Sequence, residues 1–494
     1  MAEQLKPKSI RNLGINGVIR PSEVDDSLIP DGAVTEAKNF EFDQIGASTS
    51  RPGLTTLGSS VSAGYGCVGM HNALSNTAVA VFSQAGSSAI YVFDKSTTWG
   101  TGLTGGAKSA TIRFVDFGSY SIVVNFSGSM RVWSGGAETS SYWFTSGHSI
   151  NPHNLWEQPV NPQYGEVYKS RVYLFGDTAN AGDPSRLYFS SVIDSQGSIT
   201  FSPTVDYVDI NPGDGEDGTG LKRYSLELLC FKPNYIYRFR TSGTDPDPLI
   251  KIGTRSNESI VEGKRGLYFH HDSGFYRYTG GYPEEISSPI NDFIEAIPYS
   301  QYSSIVGWND NNHIYWSVGN LSIAETKETT TWKNVVLRYT ESSDVWTVYS
   351  YSNDIRSAIT YNNGTSISRI VGTDHGVVAT QNSGTSDFGE PIYYTLRTKW
   401  YEFDGLTFSK VINDLVAISE KSQAMTLMYQ VDDDSTRWQT LGQITDFRTE
   451  FNNNDIRFNR IRFKVTGSSV YESPVFRGLE IIRGIFEGVI KNGR

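Results

Sequence analysis

From about residue 65 the chain alternates apolar and polar positions in short runs, and Gly, Asn, Asp and Ser separate one run from the next. Alternation of period two over about four to eight residues marks a half-buried strand. The runs come in groups. Cys67–Asn72, Thr77–Ser83 and Ala89–Lys95 form the first, and Ala110–Phe117, Tyr120–Phe126 and Met130–Ser134 the second. Tyr164–Lys169, Arg171–Gly176 and Arg186–Ser191 follow, and groups of the same kind continue to Val377–Gln381. Several repeat one hairpin, an aromatic strand, a polar turn and a second aromatic strand, as in GLYFHHDSGFYRYTGG (266–281) and LRYTESSDVWTVYS (337–350).

Group starts recur every 40–50 residues or so, the period of four-stranded propeller blades. One such sheet cannot cover both its faces, whereas radial stacking covers them and leaves only short edges. The pattern therefore predicts an all-β chain: a six- or seven-bladed β-propeller over residues 61–388, without the WD40 signature. Ser288–Ile297 (SPINDFIEAI) predicts a short helix between blades, with Pro289 at its first position. From Glu390 the strands lengthen, which predicts a C-terminal β-sandwich over 389–494 beyond a small-residue linker at Ser383–Phe388. Residues 1–60 read as an extended N-terminal arm, with one helix candidate capped by Asp31 and running over Ala33–Asn39. So polar a segment buries little of itself, so it wraps a body or reaches a neighbouring subunit. On the second reading, removing residues 2–50 leaves a folded propeller that cannot assemble.

Composition narrows the classes. The 494 residues carry a formal net charge of −11, with 19% charged and 13% aromatic residues. An acidic chain lacks the Lys/Arg clusters that replace phosphate counterions, which argues against tight nucleic-acid binding. No apolar stretch approaches the roughly 18–20 residues of a membrane-spanning helix, so no membrane insertion is expected. The N-terminus has Lys6, Lys8 and Arg11 but no apolar run behind them, unlike a secretory signal. Two cysteines, Cys67 and Cys230, exclude a disulfide framework but not a single bridge.

Candidate chemistry is sparse. His270, His271 and Asp272 are the most metal-like cluster, but neighbours on a strand face opposite ways, and a polar hairpin turn explains them better. Asp432, Asp433 and Asp434, followed by Ser435 and Trp438, echo the aspartate box of sialidase-like propellers, itself a hairpin device, with calcium binding the lesser reading. Asp214, Glu216 and Asp217 in GDGEDG miss the EF-hand spacing; they read as a turn between blades or as a channel-facing gate loop. Glu258, Glu262 and Asp272 could in principle serve a glycosidase, yet nothing in the sequence pairs them. No G-x-S-x-G elbow, Walker loop or H-E-x-x-H occurs. An enzyme is not expected, and neither a cofactor nor a metal. Arg457, Arg460 and Arg462 form one of the densest basic groups and suit contact with a neighbouring subunit better than phosphate.

Three passages together resemble one family. They are GVIRPSEVDDSLIPDGAVTEAKNFEFDQIGASTSRPG (17–53), GDGEDGTGLKRYSLELLCFKPNYIYRFR (213–240), and RTKWYEFDG to RFNRIRFKVT (397–466). The chain resembles the nozzle or hub proteins of short-tailed bacteriophages, also called tail tubular protein B or packaged-DNA stabilisation protein. The resemblance implies a virion tail protein made in the host bacterial cytoplasm. It also implies a ring, usually of six copies, below the portal and adaptor, docking tail fibres, surrounding the genome's exit path and helping to retain the packaged genome. Genomic DNA would pass without sequence-specific binding, and −11 per copy suits a wall that does not hold phosphates. The competing expectation is a carbohydrate-binding or glycan-cleaving propeller acting at a host surface.

Overall fold

The computed structural model describes residues 3–4, 6–20, 28–61, 65–73, 76–84, 87–93, 97–106, 111–117, 120–125, 131–133, 162–177, 184–192, 199, 205–239, 246–325, 328–403, 405–406, 408–420, 425–432 and 437–489. Nearly all the regular structure in them is strand, with short helical turns at Asn257–Ser259, Ser288–Ile290, Asn291–Glu295 and Tyr299–Ser304. The turn-and-helix over 288–295 matches the expected helix.

The body is a β-propeller arrangement of antiparallel meanders. Gly66–Ala73, Thr77–Gln84, Ser87–Phe93 and Trp99–Gly106 make the first. Arg113–Phe117, Tyr120–Val124 and Arg131–Trp133 make the next, and Pro162–Tyr168 through Tyr207–Asp209 and Gly220–Tyr224 through Asp247–Ile250 follow. Then come Val261–Glu262 through Glu284–Glu285, Val306–Asn309 through Val345–Ser350, and Ile355–Asn362 through Val378–Gln381. The first strands of successive meanders lie side by side, except that Gly220–Tyr224 meets the turn before Val261–Glu262 through Leu221 N–H and Asn257 Oδ1, and Ile355–Asn362 adjoins Gly66–Ala73, so the series closes on itself. Approach is tight near the axis: a Cβ on Gly69 would stand 2.3 Å from the Ile112 carbonyl oxygen. Aromatic and branched side chains fill the spaces between meanders, as where Phe231 meets Phe269 edge-on and Phe275 packs 4.3 Å from Trp316.

The N-terminal segment departs from expectation. Where a helix was expected over Ala33–Asn39, Val34–Lys38 is a strand, antiparallel to Ile392–Thr398 and touching Val345–Ser350 in parallel. β-Branched Val34 and Thr35 favour that conformation, and two waiting strand edges override a seven-residue helix signal. The Thr35 hydroxyl donates to the Arg397 and Thr398 carbonyls at the register shift between Val34 and Glu36. The expectation that the arm is too polar to be a core element also fails. Ile10, Leu13, Val18, Val34, Ala37 and Phe40 belong to the largest apolar core. Burying each of the larger side chains contributes roughly 1.5–3 kcal/mol, and the strand partners satisfy the polar backbone.

The remaining strands lie in two sheets that share this core. One pairs Phe408–Glu420 with Val475–Val489, and Lys8–Arg11 and Ser48–Ser50 pair with the latter. The other orders Val34–Lys38, Ile392–Thr398, Ile461–Ser469, Met425–Val431 and Gln439–Ile444. Through Val34–Lys38 this second sheet is continuous with the meander that ends at Ser350. Leu54–Thr56 supplies the outer strand of the last meander, pairing with Val378–Gln381.

Candidate functional site

The acidic loop read as a turn between blades or a channel-facing gate joins Tyr207–Asp209 to Gly220–Tyr224. Its anchor is Lys232, whose side chain is wholly buried. The Lys232 ammonium donates to both Asp214 oxygens at 2.7 Å, to Ser185 Oγ at 2.9 Å and to the Asn211 carbonyl at 3.2 Å. Burial pushes the Asp214 carboxyl up, but Lys232, the Glu216 backbone N–H and Asn211 outweigh it and hold it below the usual range. Glu216 turns away and accepts from the Asn234 backbone and side-chain amides. Asp217 is exposed. The three carboxylates do not converge: one clamps a buried lysine, one closes a turn, and one faces solvent. Nothing in GDGEDG signals the lysine, which lies on the next hairpin.

Arg457, Arg460 and Arg462 separate as well. Arg457 belongs to Ile456–Phe458, with its side chain 62% exposed and 3.9 Å from Asp455. Arg462 belongs to Ile461–Ser469 in the other sheet, and Arg460 precedes that strand. Arg460 and Arg462 both lie over the Trp400 ring, at 4.8 and 4.5 Å. Arg462 also faces Trp438 at 5.2 Å, and Lys464 lies 4.1 Å over the same ring. The result is a ladder of three cations and two indoles, in which each contact contributes on the order of 0.5–1 kcal/mol. Alternation of Arg460, Arg462 and Lys464 with Ile461, Phe463 and Val465 signals one face of a strand; Trp400 and Trp438 come from elsewhere in the chain and were missed.

The other polar candidates are tied up locally. His270 is buried between the rings of Phe275 and Tyr302, with neither ring nitrogen hydrogen-bonded to the protein. Burial pushes its imidazole down to about 3. His271 turns outward to Ser273 Oγ at 2.9 Å, and Asp272 holds Arg255 through contacts of 2.8–3.0 Å. Asp432 accepts from the Asn459 and Arg460 backbone amides, and so ties the end of Met425–Val431 to the start of Ile461–Ser469 and not to its own hairpin; Asp433, Asp434 and Ser435 lie outside the described residues. Among the described residues no group of three His, Cys, Asp or Glu is placed to hold a metal ion, and no helix is long and apolar enough to cross a membrane. Cys67 and Cys230 are both free and buried.

First strands and the turns beside them line an open cavity of about 460 Å³ on the axis, with Met70, Arg113, Glu166, Lys222, Glu258 and Ser357 in its wall. Ion pairs stitch that wall. Arg113 binds Glu258 through both nitrogen–oxygen pairs, one at 2.7 Å, donates to the Gln163 carbonyl at 2.9 Å and lies over Tyr164. Burial raises the Glu258 carboxyl, yet Arg113 outweighs it and leaves the group below its usual range. Lys222 stands 3.6 Å from Glu166, and His71 Nε2 lies 2.7 Å from Asp116. Glu258 and Asp272, two of the three glycosidase candidates, are thus each fixed to an arginine, and Glu262 is exposed.

No family model matches the chain, and no curated protein does. Among the solved structures that resemble it, two show how loose the likeness is. "YCF48 bound to D1 peptide" aligns with a TM-score of 0.39 at 9% identity, over 67% of this chain and 97% of that one. The extracellular domain of the putative hybrid two-component system BT4673 from B. thetaiotaomicron aligns with a TM-score of 0.39 at 10% identity, over 67% of this chain and 40% of that one. Likenesses this loose carry no argument about ligand or partner.

Proposed function

We propose that this chain is a structural subunit of a bacteriophage tail, of the nozzle or hub type, acting by passage and not by turnover. The reading rests on the three resembling passages, and one structural observation supports their belonging together. The passages 17–53 and 397–466 lie far apart in sequence, yet Val34 pairs with Thr398 and Glu36 with Arg397 across neighbouring strands. Two segments that resemble one family thus meet in one sheet, as parts of a single inherited unit would.

Seven first strands, or the turns leading into them, contribute to the axial cavity, which supports seven blades as the finer description of the propeller. The two sheets sharing the Leu415, Leu427 and Leu479 core support a sandwich completed by the N-terminal segment. A cavity of this size, with the Arg113–Glu258 pair in its wall, is no path for duplex DNA. The conduit of this proposal therefore runs between copies arranged in a ring, with acidic walls that gain no counterion-release affinity. Adaptor and fibre proteins would dock on the ring, with Arg457 and the cation–indole ladder as surfaces between copies. The glycan-cleaving alternative is disfavoured because Glu258 and Asp272 are held by arginines.

Mass measurement and negative-stain imaging of the purified chain, alone and with a phage adaptor ring, test the proposal. Rings of roughly 330 kDa, six copies of 54.8 kDa, are expected. Monomers that ignore the adaptor and bind or hydrolyse glycans would overturn it.

A further inference from the structure

One polar cluster fastens the N-terminal segment to the propeller and is explained by neither the fold nor the proposed function. Asp43 lies between Phe40–Glu41 and Ser48–Ser50, and its side chain is 43% exposed. It reaches Arg338, on Glu328–Thr340, whose side chain is 1% exposed. Arg338 Nη2 lies 2.7 and 2.5 Å from the two Asp43 oxygens and 2.6 Å from His313 Nε2. His313 Nδ1 lies 2.7 Å from Asp310 Oδ1, and its Nε2 lies 3.4 Å from Asp43 Oδ1. A cavity of about 370 Å³ with Asp43, His313 and Arg338 in its wall gives the cluster access to solvent protons.

The donors and acceptors here fit only one protonation state at a time. An arginine N–H can only donate, so at 2.6 Å the His313 Nε2 must be bare and the ring proton must sit on Nδ1, donated to Asp310. A second proton on Nε2 sets N–H against N–H and turns that contact repulsive. The acceptor then within reach is Asp43 Oδ1, less than an ångström beyond hydrogen-bond distance. Charge balance favours the second proton: Asp43 and Asp310 flank the ring, and Arg338 alone opposes them. Glu41 also faces Arg338, but it accepts from the Tyr349 hydroxyl at 2.5 Å and burial raises its carboxyl. Tyr315 donates to Asp310 Oδ2 at 2.5 Å, with Asn382 Nδ2 at 3.4 Å, and neither adds charge near neutrality.

We propose that Asp310, His313 and Asp43 form a proton-operated clasp between the N-terminal segment and the propeller. Protonated, His313 hands its Nε2–H to Asp43, which two cations then hold. Deprotonated, His313 accepts from Arg338 and leaves Asp43 to that arginine alone. Burial lowers the His313 imidazole, but its bonds to Asp310 and Asp43 outweigh burial and the Arg338 charge, so it titrates above its usual range. The folded-state value lies above the unfolded one. The stabilisation is therefore complete below about pH 6.5 and is lost as pH rises through the folded-state value.

The test uses the full chain with ¹³C-labelled histidine, assigned through His313→Gln, together with hydrogen exchange across residues 40–46. The His313 resonance is expected to titrate above the ordinary histidine value. Protection of 40–46, corrected for intrinsic exchange, should fall severalfold across the same pH interval. Asp43→Asn should lower the His313 midpoint and remove that interval while sparing any step from Glu41. A His313 midpoint at or below the ordinary value, or protection with the same pH dependence in Asp43→Asn as in the parent, overturns the clasp. Asp43 is partly exposed, so that arm stands even where His313→Gln fails to fold.

Discussion

Arg51 and Asp387, 336 residues apart, meet as a fully buried bidentate pair, with Nη1–Oδ1 at 2.9 Å and Nη2–Oδ2 at 2.6 Å. Arg51 spends its other donors on Asn39 Oδ1, the Pro52 carbonyl and the Ser350 carbonyl, and its guanidinium lies 4.0 Å over the Tyr351 ring. One side chain thus ties the N-terminal segment, the meander ending at Ser350 and the segment 383–388. Asp387→Ala would leave a buried cation without its counter-charge, at a cost of about 3–5 kcal/mol. Urea unfolding of Asp387→Ala and Arg51→Ala should show losses of that order. A shift under about 1 kcal/mol would mean that water replaces the lost partner.

Removal of residues 2–50 now carries a different expectation from the one the sequence alone suggests. The deletion strips Val34–Lys38 from between two strands and uncovers Trp346, Val348, Leu396 and Leu479 of the shared core. We expect an insoluble or non-cooperatively unfolding product by size exclusion and thermal melting. A soluble propeller with a sharp transition would show the segment to be dispensable.

His270 predicts acid sensitivity. Its folded-state value of about 3 lies below the ordinary 6.5, so below pH 6.5 the unfolded chain takes a proton that the folded one refuses. Stability should fall by up to about 1.4 kcal/mol per pH unit from pH 6.5 towards 3 on this account. Since neither ring nitrogen is hydrogen-bonded to the protein, His270→Leu should fold and show a shallower decline. Urea midpoints at pH 7, 5.5 and 4.5 for both proteins measure the difference; parallel declines would absolve His270.

The acidic loop separates structural from exposed carboxylates. Lys232→Met leaves Asp214 half-buried without its cation and should cost several kcal/mol, on the order of 3. Asp217→Asn removes an exposed charge and should stay within about 0.5 kcal/mol. Thermal denaturation distinguishes them, and equal effects would contradict this division of labour.

How far the chain could be read from its residues follows from the range of the interactions. The hairpin in 266–281 is local: His271 pairs with Gly274, and Leu267 with Tyr278. Period-two alternation and the Asp-Ser-Gly turn therefore revealed it. Val34–Lys38 was misjudged because the strands that make it extended lie more than three hundred residues downstream. Lys232 looked like any surface lysine, because its burial depends on a loop folding back from Asp214. The Arg460–Arg462 alternation was visible, but the Trp400 and Trp438 rings beneath it are set by sheet order. Short-range rules carried the meanders, and long-range pairing decided the candidate sites.

The last meander takes its outer strand, Leu54–Thr56, from the opposite end of the polypeptide. During synthesis that tripeptide leaves the ribosome first and waits for Val378–Gln381 to emerge. At about 5–20 residues per second the wait lasts tens of seconds. Until then the circle stands open, so the last meander is completed only after the chain has been made through Gln381.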